Sequence, residues 1–139
     1  MSTQIQNNSA DIISLFFGVG RLIRGECVKN DPYIFIKLEV LRFVAENKKP
    51  TMTDLAEYLS VKAPTATAFI SGLVRAGFIE REPDKGDRRI VHLNLTPVGR
   101  NKLKQGQAEL LVALKPVFAK LTDDESSTLK KLLTKILDK

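Results

Sequence analysis

This 139-residue sequence has one cysteine, Cys27, and one histidine, His92. A lone cysteine excludes a disulfide framework within the chain. A metal site needs clustered ligands, and the sequence clusters none, so no metal and no cofactor are expected. Every apolar stretch is interrupted by Arg, Lys, Asp or Glu before it could span a bilayer, and no membrane partner is expected. The opening Met-Ser-Thr-Gln-Ile-Gln-Asn-Asn lacks the charged-then-apolar order of an export signal, which leaves a cytoplasmic location as the expectation. No nucleophile with its base, no paired carboxylates and no phosphate-binding loop can be found. The sequence therefore offers no catalytic residues and reads as a non-enzyme. Internal repeats and low-complexity segments are also missing.

What is present is a moderate basic surplus. Lys and Arg number 22 against 16 for Asp and Glu, a formal charge of +6. Such a surplus points to nucleic acid or an anionic surface, although an ordinary solvated basic surface would give the same count. Hydrophobic residues make up 43% and charged residues 27%, enough for a core and too balanced for bulk disorder. The length fits one domain over residues 1–139, and a chain this short gains by burying more surface in a dimer.

The stretch from Met52 to Leu95 organises the rest. It reads as a short helix, a tight turn at Ser60-Val61, a second helix and a two-stranded hairpin. Thr53 is the expected cap of the first helix, with Asp54 in its first turn. Leu55, Ala56 and Leu59 form that helix's apolar side. Pro64 suits the first turn of the second helix, where a missing N–H costs nothing. Ala66, Phe69, Ile70 and Leu73 recur at three- and four-residue steps and mark its core face. Thr67, Ser71 and Arg75 share a different, polar face. Gly77 fits a left-handed C-terminal cap. Phe78 and Ile79 open one strand, Ile90, Val91, Leu93 and Leu95 supply the other, and Pro83 and Gly86 mark the turn. A helix-turn-helix followed by a wing of this kind is a duplex DNA-binding arrangement.

The flanks read as helices. Residues up to about Ala10 are polar and expected to fray. From Asp11 to about Cys27, Ile12, Leu15, Phe16, Val19, Leu22 and Ile23 repeat at helical spacing, and Gly18 and Gly20 leave room for a neighbouring helix. Asn30-Asp31-Pro32 ends that helix. A second helix follows from Tyr33 to about Asn47, with Ile34, Leu38, Leu41, Val44 and Ala45 on its buried side. After the wing, Thr96 caps and Pro97 opens a helix to about Lys120. Thr122 and Glu125 have capping-box spacing ahead of a final helix bearing Leu129, Leu132, Leu133, Ile136 and Leu137. The outer helices carry more apolar surface than one small winged unit covers, so a second copy is expected.

Three runs carry a family resemblance: Leu73-Val74-Arg75-Ala76-Gly77-Phe78-Ile79-Glu80-Arg81, then Asp87-Arg88-Arg89, then Leu93-Asn94-Leu95-Thr96-Pro97-Val98-Gly99. In order and spacing the chain resembles the multiple antibiotic resistance regulator (MarR) family of winged-helix transcription factors. The resemblance implies a mainly α fold with a small β-hairpin wing (α+β). Residues 33–95 would form the winged helix-turn-helix unit, and residues 11–30 and 96–139 the dimerisation helices. It further implies a homodimer that binds a palindromic operator in double-stranded DNA. By the same resemblance the regulator would act as a repressor released by a small-molecule effector seated in a crevice of the fold. In the family's wing pattern the arginine matching Arg89 reaches the minor groove, and the aspartate matching Asp87 shapes the wing.

The candidate DNA-contacting residues are Lys62, Pro64, Thr65, Thr67, Ser71 and Arg75 on the second helix and Lys85, Arg88 and Arg89 on the wing. From the residues alone Arg88 is as good a candidate as Arg89. The front of the helix departs from the family: Ala68 stands where many relatives are basic, and no Arg, Asn or Gln is available to grip base edges bidentately. Modest direct readout and more shape readout follow. Three other readings stay open: a winged helix that binds protein, a structural winged helix within a larger assembly, and an oxidant sensor built on Cys27. For the oxidant sensor, Arg24 and Lys29 would lower the thiol pKa and Glu26 would oppose them. His92 reads as an outward-facing strand residue.

Overall fold

The computed structural model describes residues 2–27 and 31–138; Lys29, expected to act on Cys27, and Asn30, expected to help end the first helix, lie outside the described residues. The elements are α1 (Ser2–Cys27), α2 (Ile34–Glu46), α3 (Met52–Leu59), α4 (Ala63–Arg75), β1 (Ile79–Pro83), β2 (Val91–Leu95), α5 (Pro97–Phe118) and α6 (Asp123–Leu137). The fold is mainly α with one antiparallel hairpin, a winged helix-turn-helix flanked by helices. β1 and β2 pair in the register Ile79 with Leu95 through Pro83 with Val91.

The chain divides into two compact units, one spanning Asp31–Glu109 and the other made of α1, the last part of α5 and α6. The winged unit holds the core. Leu41, Leu55, Ile70, Ile79, Leu93 and Val40 are fully buried, so α2, α3, α4 and both strands each contribute to one cluster. α2 buries Leu38, Val40, Leu41, Phe43 and Val44, whereas Ala45 is exposed. The buried stripe therefore keeps the expected Leu38, Leu41 and Val44 and widens to Val40 and Phe43 in place of Ala45. Phe43 turns inward to stack on Tyr58 of α3, with ring centroids 4.5 Å apart.

The cap of α3 is Thr51 rather than Thr53. Thr51 accepts from the Asp54 amide and the Asp54 side chain accepts from the Thr51 amide, a reciprocal box that Thr53, already inside the helix, cannot make. Ser60 then takes a left-handed conformation, with φ of 53°, to turn the chain into α4. At the other end of α4, Gly77 has φ of 79°, and the amides of Gly77 and Phe78 bond the carbonyls of Val74 and Leu73. These two bonds satisfy the last turn of the helix and aim the chain into β1.

Thr96 ties three elements together. Its hydroxyl donates to the Gly77 carbonyl (2.6 Å) and accepts from the Gly99 amide (2.9 Å), capping α5 against the end of α4. Gly99 lies so close to the hairpin that a Cβ would overlap the Phe78 carbonyl oxygen. This contact gives the Leu-Thr-x-x-Gly pattern a steric reason.

The second unit differs in character. α1 begins at Ser2, so the polar opening residues extend the helix and do not end it. Gln, Asn, Ser and Thr lower helix propensity only mildly, and polarity sets exposure more than it sets helicity. The nearest described atoms to a Cβ on Gly18 or Gly20 are the guanidinium nitrogens of Arg21 and Arg24, both at 3.8 Å. α5 ends at Phe118, short of Lys120 and just after Pro116. Thr122 and Glu125 make the expected capping box ahead of α6. Ile12, Phe16, Phe17, Leu132 and Ile136 are all exposed. Among the described residues, no helix is long and apolar enough to cross a membrane.

Candidate nucleic-acid interface

α4 has two chemically opposite sides. Ala66, Ile70 and Leu73 are buried, while Lys62, Pro64, Thr65, Thr67 and Arg75 are exposed and Ser71 is half-buried. Lys62 is the N-cap residue and makes no side-chain capping bond, since an ammonium has only donors and cannot accept from the helix amides. Phe69, expected in the core, is only half-buried and lines a crevice.

Ser71 is not a solitary hydroxyl. Arg81 Nη2 donates to Ser71 Oγ at 2.8 Å, which places a cation from β1 on the polar side of α4. In the sequence Arg81 stands out only as a motif position. The available signal was strand parity: Arg81 is two residues after the buried Ile79 and so shares the face that turns towards α4.

The wing tip is organised by two carboxylates. Asp87 accepts from the Arg89 backbone amide (2.9 Å), from Nε (3.1 Å) and from Nη2 (2.9 Å). The Arg89 guanidinium beside it lowers the Asp87 pKa, and Asp87 in turn raises that of Arg89. The grip takes one edge of a guanidinium that is 90% exposed, leaving its other N–H groups available. Lys85 and Arg88 are exposed at the same tip.

Asp84 shapes the tip as much as Asp87 does, a role its sequence position did not suggest. One of its oxygens, Oδ2, accepts from the amides of Gly86 (2.9 Å) and Asp87 (3.0 Å), and the other, Oδ1, lies 2.8 Å from His92 Nε2. These bonds hold its carboxyl at a pKa of about 2, with His92 the largest cause. His92 does lie on the strand face opposite the buried Leu93, but its side chain is not simply outward-facing. It is 21% exposed and occupied at both ring nitrogens. On the same side Asn94 donates to Glu82 (2.7 Å), and Lys49 approaches Glu82 at 3.9 Å.

A crevice of about 570 Å³ opens beside α4, lined by Tyr33, Ile36, Lys37, Phe69, Arg75 and Phe78 among others. It is mainly apolar, with the cationic side chains of Lys37 and Arg75 in its lining. Lys37 is held by Asp31 at 2.8 Å, and that bond lowers the Asp31 pKa.

Cys27 is a free, half-buried cysteine at the end of α1. Burial pushes its pKa up, and the charge of Glu26 adds to the rise. The expected help from Arg24 does not outweigh these effects. Among the described residues no cluster of three or more His, Cys, Asp and Glu is arranged to hold a metal.

A helix-turn-helix with a buried and a polar side on its second helix, followed by a hairpin tipped with Lys85, Arg88 and Arg89, defines a winged-helix DNA-binding protein. A sequence model described as the MarR family matches residues 37–91. The chain is 31% identical to the multiple antibiotic resistance protein MarR of Salmonella typhimurium, over 94% of this chain and 98% of that one. It is 27% identical to the HTH-type transcriptional repressor YetL of Bacillus subtilis over 74% of this chain, and it spans 62% of YetL's length. Its fold matches a mutant of E. coli MarR complexed with operator DNA, at a TM-score of 0.71 and 26% identity, covering 92% of this chain and 96% of that one. The chain belongs to the MarR family of transcriptional regulators.

Proposed function

We propose that the chain is a cytoplasmic, homodimeric regulator that binds a palindromic operator and is released by a small apolar or amphipathic effector. It acts by binding and not by catalysis. The single observation that carries this reading is the polar side of α4. Thr65 and Thr67 are exposed there, and the Ser71–Arg81 bond joins that side to the wing. Lys62, Pro64, Thr65, Thr67, Ser71 and Arg75 would meet the major groove. Lys85, Arg88 and Arg89, with Asp87 holding Arg89, would meet the backbone and minor groove. Residues 33–95 would be the reading unit and residues 11–30 and 96–139 the dimerisation unit.

Other features support the rest of the reading. The exposed apolar side chains of α1 and α6 favour a two-fold partner. The crevice beside α4 is large enough for a small ligand, and a ligand filling it would press on the helix that reads DNA. Hydroxyls and cations without a bidentate Asn, Gln or Arg on the front of α4 favour phosphate contacts and shape over base-edge readout. The raised thiol pKa of Cys27 weighs against the oxidant-sensor reading.

The test is selection from a randomised duplex pool with the full chain. An inverted repeat with half-sites one helical turn apart is expected, with binding that falls steeply with salt. Recovery of no common sequence, with affinity independent of salt, would reject the regulator reading in favour of a protein-binding winged helix.

A further inference from the structure

His92 is placed between two acceptors that come from different parts of the winged unit. Its Nε2 is 2.8 Å from Asp84 Oδ1 at the wing tip, and its Nδ1 is 3.0 Å from the Lys49 carbonyl oxygen in the loop between α2 and α3. A neutral imidazole has one N–H and one lone pair. It can satisfy one of these oxygens, and it then faces the other with a lone pair. Only the imidazolium donates to both. The geometry is therefore that of a charged histidine, whichever neutral tautomer would follow.

The loop end of this bridge is itself unusual. Lys49 has φ of 50°, a left-handed conformation that a lysine rarely adopts. The next residue, Pro50, accepts from the Leu93 amide at 2.8 Å, and Thr51 pairs with His92 as an isolated bridge. The loop is thus stitched to β2 at successive positions, and the side-chain bond from His92 reaches the one whose backbone is strained.

We propose that His92 is a proton-operated clamp on the wing: its imidazolium ties the wing tip to the loop ahead of α3, and loss of one proton removes one of the two ties. His92 is a positioning residue, acting on Lys85, Arg88 and Arg89 through the Asp84 turn that carries them. The consequence for DNA rests on the reading of the wing as a DNA contact; the clamp itself does not.

The charged groups around the ring set the direction. From the wing, Asp84 stabilises the cation, and Glu82, which pairs with His92 in the strand register, also feels its charge. From the loop, the Lys49 carbonyl favours the cation while the Lys49 ammonium opposes it. Lys85 at the tip acts on Glu82. The balance raises the His92 pKa above its ordinary value, with the Asp84 bond the largest cause. A raised histidine pKa means that the clamp is fully present below the unfolded value of about 6.5 and is lost as pH rises through the folded value. Asp84 stays ionised down to a pH of about 2, so it does not limit the clamp on the acid side of neutrality.

Two measurements on the untagged full chain test this. His92 is the only histidine, so every imidazole NMR signal belongs to it. The first measurement is an NMR titration of the ring, with nitrogen shifts reporting the tautomer. A pKa above about 6.5, both nitrogens protonated on the acid side of the measured midpoint, and a fall in pKa in Asp84→Asn are expected. A pKa at or below the ordinary histidine value in the unmodified chain would overturn the clamp, with no variant required. The second is fluorescence anisotropy with a duplex of about 30 base pairs and arbitrary sequence in dilute salt, at one pH below and one above the midpoint that the NMR titration gives. Affinity should fall more with rising pH in the unmodified chain than in His92→Phe, by about threefold, because binding that uses the clamped wing favours the protonated ring. Equal pH dependence in the two proteins would overturn the link between clamp and DNA. Absence of DNA binding at either pH would reject the wing as a DNA contact, while the NMR titration would still decide the clamp.

Discussion

Leu41 of α2 and Leu132 of α6 each belong to a helical stripe of aliphatic residues, yet Leu41 is 0% exposed and Leu132 53%. The same contrast runs through the two units. Every buried hydrophobic side chain among the described residues lies in the winged unit, where two strands and three short helices cover one another. In the other unit Ile13, Leu15 and Phe17 of α1 and Ile136 and Leu137 of α6 are each more than half exposed. The hydrophobic period shows which side of a helix favours burial, but not whether the same chain supplies the cover. The winged unit is self-sufficient. The outer helices leave apolar side chains exposed, and in the proposed function a second copy covers them.

The largest expected effect comes from removing α6. Deleting residues 121–139 should convert a dimer into a monomer in sedimentation and lower affinity for an inverted-repeat duplex by about two orders of magnitude or more, because two linked reading units become independent. The winged unit, with its own core, should remain folded. A monomer that keeps full affinity would break the comparison between a self-contained and a dependent unit.

Next in size is the wing. Replacing Arg88 and Arg89 together by Ala should weaken binding to duplexes of many sequences by roughly tenfold in dilute salt. It should also reduce the salt slope by about one unit for each phosphate that the wing no longer neutralises. Anisotropy over a salt series measures both. An unchanged slope would mean that the wing does not touch DNA.

Gly99→Ala sharpens the contrast from the stability side. Its Cβ would meet backbone at Phe78, which cannot swing aside as a side chain can. A loss of about 2 kcal/mol is expected in denaturant unfolding of the winged unit, with the oligomeric state unchanged. Gly106→Ala should cost less, because there the Cβ meets the side-chain tip of Leu38. Equal costs would show that the Phe78 contact is relieved by a backbone shift.

The smallest effect is expected from the double change of Thr65 and Thr67 to Ala. Each hydroxyl offers less than a bidentate grip of about 1–3 kcal/mol, so affinity should fall modestly and base preference should relax only in part. Binding to all single-base variants of the selected operator measures this. Free interchange of the central base pairs would exclude shape readout and leave Lys62 or Arg75 as the reader of base edges.

The element order, the α4 core face, the left-handed cap at Gly77, the Thr122 box and the basic wing tip were all legible in the order of residues. Each depends on residues close together in the chain, through helical period, backbone conformation or local charge. The cap at Thr51 is also a local feature, but it is masked in the sequence because Thr53 offers the same chemistry nearby. It took the packed fold to show that Phe43, and not Ala45, turns inward to meet Tyr58, and that Arg81 crosses to Ser71. It alone placed His92 between Asp84 and the carbonyl of Lys49, far back in the chain. It also fixed the burial that raises the Cys27 pKa. A side chain's partners across the chain depend on strand register and helix rotation, and these are set by the packing of the whole core.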